Sequence, residues 1–365
     1  LKDNCASPYS YAIGAILLKR IDWRWTFLTL LFCWACLETG LRLGSGRIWA
    51  RLGHSDPLSQ ALLQDRISAF QSARKGKKLC ITLGDSVFFG SALREKGTLN
   101  WDHLTPPALL RAKLGPAWIV LDLSADGLQI PDLYALQRAA AALKPDAIVL
   151  ELNMRMLAVD GDGSPGDLSR PWLSAYLPES TLATLPPRPT LGFEKRSFSR
   201  LHDGLAAVSY VFRYAELARD LLFQPSFKEL AAKWIKAWMP EAEDSDSDIQ
   251  DSLLDMKIRP YYAGPPAGPR HAGRLALVPL AQALKAGGAR TFVFLTPQNM
   301  DRISDFLDRP TFKADRSAFR APFEEAGVPY HDLAEWVPPG RFLDHCHLDP
   351  RGNEALSSKI YRGLQ

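Results

Sequence analysis

Five short apolar runs constrain this 365-residue chain more than anything else in it. They are "LCITL" (79–83), "AWIVLDL" (117–123), "DAIVLEL" (146–152), "RTFVFLT" (290–296) and the shorter "VPYHDL" (328–333). Stretches with helical periodicity stand between them, such as "TPPALLRAKLG" before the second and "IPDLYALQRAAAALKP" before the third, the latter stopped at Pro145. Apolar runs this short, bounded by turn residues, read as strands buried on both faces. Strands alternating with helices predict an α/β domain with a parallel sheet covered on both sides. In such sheets ligands bind beyond the carboxyl ends of the strands. The residues just after each run are therefore the ones to inspect.

Gly84, Asp85 and Ser86 follow the first run, and Ser124, Asp126 and Gly127 follow the second. Asn153 follows the third, with Arg155 beyond it, and Gln298 and Asn299 follow the fourth. Near the end, "FLDHCHLDPRGNEAL" supplies Asp344 and His347 before a helix that Asp349 caps and Pro350 opens. This set suits ester chemistry. A serine hydroxyl is a weak nucleophile until a neighbouring base takes its proton. His347 is placed to be that base, and Asp344 to fix its tautomer and stabilise the imidazolium. The oxyanion needs preorganised donors, which the Ser86 N–H, the Gly127 N–H and the Asn153 side-chain amide can supply. Each residue also has a plainer reading. Ser86 suits a turn, Gly127 a left-handed turn position, Asn153 a loop brace and His347 the surface. Asp85 is read as bracing its loop, Arg155 as meeting an anionic or hydroxylated substrate, and Gln298 and Asn299 as lining the pocket or serving the loop.

Taken in order, "GDSVFFG", the glycine of "SADGLQI", the asparagine of "ELNMR" and "DHCH" resemble the four blocks of the SGNH (GDSL-type) hydrolases. The resemblance covers about 79–153 and 290–364. It implies a flavodoxin-like three-layer α/β/α sandwich with a parallel sheet, and hydrolysis or transfer of acyl esters. It also implies catalytic roles for Ser86, Asp344 and His347, oxyanion roles for Ser86, Gly127 and Asn153, and no cofactor. The third block departs from the family pattern Gly-x-Asn-Asp, reading Leu152-Asn153-Met154-Arg155.

Outside those blocks the chain divides into further parts. Residues 1–22 form an N-terminal tail, and 23–43 carry the apolar stretch "WTFLTLLFCWACL". Twenty-one helical residues span about 30 Å, enough for a bilayer if Arg24, Glu38 and Arg42 lie near its interfaces. A signal anchor is the expectation, with the amino terminus inside and the folded part outside; a cleaved signal peptide and a buried or amphipathic helix are the alternatives. Residues 57–155 and 275–365 then form the two parts of the domain. Residues 156–274 form an insertion, partly helical and partly irregular, read as covering one side of the site. Its "EAEDSDSDIQDS" tract is a solvated loop, with calcium binding a remote alternative.

Composition narrows the partners. A net charge of +4 without a dense Lys/Arg tract argues against nucleic acid. Five cysteines without framework spacing suggest neither disulfides nor a zinc ribbon, and Cys33 and Cys36 form their CxxC inside the apolar stretch. "DHCH" alone lacks a distant ligand pair, so no metal is expected. The expected partners are the membrane, through the N-terminal helix, and an acylated carbohydrate or other ester. A non-catalytic polysaccharide-binding or scaffolding protein, stacking sugars on Trp172, Trp234 and Trp238, is the competing reading.

Overall fold

The computed structural model describes residues 23–51, 59–158, 168–185, 204–206, 208–214, 262 and 266–365. The five apolar runs form one parallel sheet: β1 (Lys78–Leu83), β2 (Trp118–Asp122), β3 (Ala147–Leu152), β4 (Arg290–Leu295) and β5 (Tyr330–Asp332). Its strand order is β2-β1-β3-β4-β5, the flavodoxin-like doubly wound arrangement. β1 runs with β3 in the register Cys80 beside Ala147 through Leu83 beside Leu150, and β3 with β4 from Ala147 beside Arg290 to Leu152 beside Leu295.

β1 to β4 are mainly apolar on both sides because both sides are covered, while the short edge strand β5 is only partly buried. Leu79, Ile81, Leu83, Ile148, Leu150, Val293 and Leu295 point into one core. That core is closed by α6 (Ile130–Ala141), α8 (Ala272–Gly287) and α9 (Pro310–Ala326). The alternate residues Cys80, Val120, Val149, Phe292 and Phe294 face a second core, closed by α5 (Pro106–Leu114) and α10 (Pro350–Gly363). A two-residue side-chain period along each strand thus sorts every position into one of two layers. α2 (Gln60–Arg74) precedes the sheet and adds Leu63 to the larger core. Two short helices, α3 (Ser86–Phe89) and α4 (Ser91–Glu95), follow β1, and α7 (Glu179–Thr184) follows β3.

Within 156–274, the described parts pack against the domain. Leu168, Leu173, Leu177 and Leu185 join the larger core, and Asp132 of α6 accepts hydrogen bonds from Ser169 and from the Arg170 backbone. Tyr262 is buried against Phe306, Phe312 and His345. α8 begins at Ala272, slightly before the boundary expected from sequence. The N-terminal tail, the acidic tract, Trp234 and Trp238 lie outside the described residues.

The apolar stretch forms α1 (Trp23–Arg51), which continues eight residues past the expected end. Its Arg24–Gly44 window is long and apolar enough to cross a membrane. Trp25, Phe27, Leu28, Leu30, Leu31 and Phe32 are all exposed. The second half is held to the domain. Glu38 accepts hydrogen bonds from the Ser209 hydroxyl (2.9 Å) and the Tyr210 and Val211 N–H groups (2.9 and 3.0 Å). Trp34 meets Phe212, while Arg213 pairs with Asp65 of α2 at 2.7 Å.

Candidate active site

Ser86, Asn153 and the 344–347 loop meet at the carboxyl edge of the sheet. Between β1 and β3 the chain switches from one face of the sheet to the other, which opens a crevice in folds of this type. Ser86 opens α3 directly after the Gly84–Asp85 turn. Gly84 stands where a Cβ would collide with Glu151 and Phe88, so the tight approach of this turn to β3 requires glycine. At the other end of α3, Gly90 takes a left-handed conformation (φ 80°) and its N–H closes on the Ser86 carbonyl at 2.8 Å.

The base arrives from the far end of the chain. His347 Nε2 lies 2.9 Å from Ser86 Oγ, and His347 Nδ1 lies 2.7 Å from Asp344 Oδ2. Asp344 is itself fixed, because its Oδ1 accepts the backbone N–H groups of Cys346 (2.9 Å) and His347 (2.8 Å). A bridge between Phe342 and Leu348 closes this loop, and the Asp349 side chain caps α10 by accepting the Gly352 N–H at 2.6 Å. The cap and Pro350 were legible in sequence.

These contacts set the charges. Burial would raise the Asp344 carboxyl, but the His347 hydrogen bond and charge, with further help from His345 and the backbone, hold it below the ordinary carboxylate range. Burial would lower His347, yet the charge of Cys346 and the hydrogen bond and charge of Asp344 raise it well above the ordinary histidine value. Cys346 lies 3.4 Å from His345 Nε2 and 3.8 Å from His347 Nδ1. Burial opposes its ionisation, but these two rings bring the thiol below its ordinary value.

The other expected site residues are placed as follows. Asn153 is buried; its Oδ1 accepts the Arg155 N–H at 3.1 Å and its Nδ2 points to Cys346 Sγ at 3.8 Å. Gly127 is left-handed (φ 78°), and its N–H donates to Asp85 Oδ1 at 2.9 Å. That expected oxyanion donor is therefore engaged by the protein's own carboxylate. Arg155, expected to meet a substrate, is engaged within the protein. Its Nη2 pairs with Asp85 Oδ2 at 2.7 Å and also donates to the Leu128 carbonyl at 3.1 Å.

Gln298 and Asn299, expected to line the pocket or serve the loop, make the contacts of the loop role. Gln298 is fully buried, donating to the Thr296 carbonyl and accepting the Tyr262 hydroxyl. Asn299 donates its side-chain amide to the Asp344 carbonyl (3.2 Å) and its N–H to the His345 carbonyl (2.8 Å), which steadies the loop that carries the base. Asp344, Cys346 and His347 offer atoms within 4.8 Å of one another, but the Asp344–His347 hydrogen bond already joins two of the three.

Sequence reading missed Glu151. It lies within the apolar run of β3, fully buried, with Oε2 accepting the Asp85 N–H at 2.6 Å and Oε1 2.8 Å from the Thr296 hydroxyl. The available signal was an acidic residue interrupting a strand otherwise apolar on both faces.

No protein-family model matches this chain, and no curated protein matches it. Among solved structures it is similar to TesA, at 13% identity and a TM-score of 0.36, over 79% of this chain and 98% of that one. It is similar to a carbohydrate acetylesterase family member from Sinorhizobium meliloti at 12% identity and a TM-score of 0.33, over 79% and 99%. A mutant of Axe2, an acetyl-xylooligosaccharide esterase from Geobacillus Stearmophilus, gives 15% identity and a TM-score of 0.37, over 79% and 95%. The functional reading rests on this chain's own residues.

Proposed function

We propose that the protein is a membrane-anchored serine esterase of the SGNH type, acting through an acyl-enzyme on Ser86. The observation that carries this reading is the unbroken hydrogen-bonded series from Ser86 Oγ through His347 to Asp344, at 2.9 and 2.7 Å. His347 takes the hydroxyl proton as Oγ attacks the ester carbonyl, then delivers it to the leaving alcohol. Asp344, ionised and fixed by two backbone N–H groups, holds the imidazole with Nε2 toward the serine. The Ser86 N–H, at the first position of a helix, has no carbonyl partner within that helix. With the Asn153 amide it forms the oxyanion site, and Gly127 joins them when Asp85 releases its N–H. Water or a sugar hydroxyl then takes the acyl group, giving hydrolysis or transfer.

The length and apolarity of α1 support a single-pass anchor. The grip of the domain on Glu38 supports a domain held close to the bilayer; the extracytoplasmic (periplasmic) side is carried over from the sequence expectation. An enzyme so placed suits acyl esters on cell-envelope polysaccharide. A second reading, a non-catalytic polysaccharide-binding or scaffolding protein, is favoured by one observation: the engagement of Gly127 by Asp85.

Labelling of the detergent-solubilised protein with a fluorophosphonate probe separates the two. The esterase reading expects labelling of the wild type and its loss in Ser86→Ala and His347→Ala. A folded wild type that never labels would sink it in favour of the binding protein.

A further inference from the structure

Behind the nucleophile turn lies a carboxyl group that the mechanism above does not use. Glu151 is fully buried on β3, and among the described residues no lysine or arginine pairs with it. Its Oε2 accepts the Asp85 N–H at 2.6 Å, so it holds the backbone one residue before Ser86. Its Oε1 lies 2.8 Å from Thr296 Oγ1, and that same hydroxyl lies 2.8 Å from the Leu152 carbonyl. A hydroxyl carries one hydrogen. The Leu152 carbonyl also accepts the Thr296 N–H at 2.8 Å, so the hydroxyl hydrogen has two acceptors to choose from; when it goes to Leu152, the Oε1 contact takes its hydrogen from a protonated Glu151.

Resting on the reading of Ser86 as nucleophile, we propose that Glu151 is a positioning residue: a neutral carboxylic acid that braces the Gly84–Ser86 turn from behind and slackens it on losing its proton. The hydrogens then run from Glu151 to Thr296 to the Leu152 carbonyl on one side and from the Asp85 N–H to Oε2 on the other.

The surroundings fit a neutral acid. Asp85, already paired with Arg155, and the Cys346 thiol are the titratable groups acting on Glu151, with His345 and His347 beyond that thiol. Burial and the Asp85 charge push its carboxyl up to about 8, against the Thr296 hydroxyl and the Asp85 N–H, which both donate to it when it is ionised. Once ionised, Glu151 sets a second charge against Asp85, whose carboxylate also carries Gly127 and Arg155. The whole turn is then under repulsion.

The test is the pH dependence of fluorophosphonate labelling and of kcat and KM for a short acyl ester, in wild type, Glu151→Gln and Glu151→Leu. In the wild type, kcat and the labelling rate fall as pH rises through about 8, with little change in KM. Glu151→Gln copies the neutral acid, with its amide donating to Thr296 and its carbonyl accepting the Asp85 N–H. It retains kcat within a fewfold at neutral pH and loses the alkaline fall. Cys346 and His347 remain in both proteins, and the carboxylic-acid band at position 151 assigns the difference to Glu151. Glu151→Leu leaves the Asp85 N–H without its acceptor and lowers kcat on the order of 10²-fold, as a small misplacement of the nucleophile does. An alkaline fall that persists in Glu151→Gln, or full kcat in Glu151→Leu, would overturn the proposal. If the leucine variant does not fold, the glutamine variant decides alone. A carboxylic-acid carbonyl band, titrating in the infrared spectrum of the wild type and missing from Glu151→Gln, reads the same proton without any turnover. A wild type that never labels would instead strike at the serine mechanism and leave that band unaffected.

Discussion

Asp344, 18% exposed at its side chain and bonded to His347, and Glu151, fully buried and bonded to the Asp85 N–H beside Ser86, are carboxyl groups in different charge states. Both are raised by burial. Asp344 sits in a tight loop that turns two backbone N–H groups and an imidazole N–H toward it, so its charge is met on every side. Glu151 sits in a strand whose backbone is committed to the sheet. It finds one N–H and one hydroxyl, and the charge that acts on it most, that of Asp85, is also an acid's. Burial alone does not decide the charge of a carboxyl. The donors that local backbone geometry can offer decide it.

The strongest way to break this comparison is to remove the charge of Asp344 while keeping its shape. Asp344→Asn loses the acceptor that holds the His347 tautomer, and kcat for a short ester is expected to fall about 10³–10⁴-fold. Glu151→Gln, the same chemical change at the other carboxyl, leaves neutral-pH kcat within a fewfold. Comparable losses in the two variants would mean that both groups work as carboxylates, and the contrast would collapse.

Much of this arrangement was legible in the sequence. The five strands, the wrapping helices, the Asp349 cap and the Ser86, Asp344 and His347 positions follow from apolar run length and from polar residues at strand ends. Side-chain pairing across 40 to 70 positions was not legible. Asp85 joins Gly127 and Arg155, which sequence reading had assigned to an oxyanion and to a substrate. Gln298 and Asn299 follow a strand just as pocket residues do, so sequence left pocket lining and a loop role open; their contacts are with Tyr262 and the 344–347 loop. Glu151 was hidden because a strand reading counts the apolar residues around it. Its partners, Asp85 and Thr296, come from two other strand ends.

A smaller effect tests the link between the two carboxyls. Asp85 is fully buried, while Arg155 is 22% exposed at its side chain. Removing one partner of a buried pair costs about 3–5 kcal/mol, and the partial exposure of Arg155 places Arg155→Met near 3 kcal/mol in a denaturant titration. The double variant Asp85→Asn with Arg155→Met leaves no unpaired buried charge and is expected to recover part of that loss. A double variant no more stable than the single one would show that the arginine acts by packing.

The smallest expected effect concerns where activity begins on the acid side. His347 must be neutral to accept the Ser86 proton, and its ionisation lies well above the ordinary 6.5. kcat/KM for the wild type therefore rises with pH through a window above that value. The Cys346 charge is the first of the influences that raise His347, and Asp344 supplies the others together with the Cys346 hydrogen bond. Cys346→Ser keeps the size of the side chain and removes the ionisable thiol, so the rise moves toward lower pH while Asp344 keeps it from falling to the level of an isolated histidine. The alkaline fall assigned to Glu151 moves little, since Cys346 is the last and weakest of the influences on that carboxyl. One substitution between the two carboxyls thus shifts one limb of the pH profile and spares the other. If both limbs move together, Ser86, His347 and Glu151 titrate as a single unit, and the separate charge states of the two carboxyls no longer describe the site.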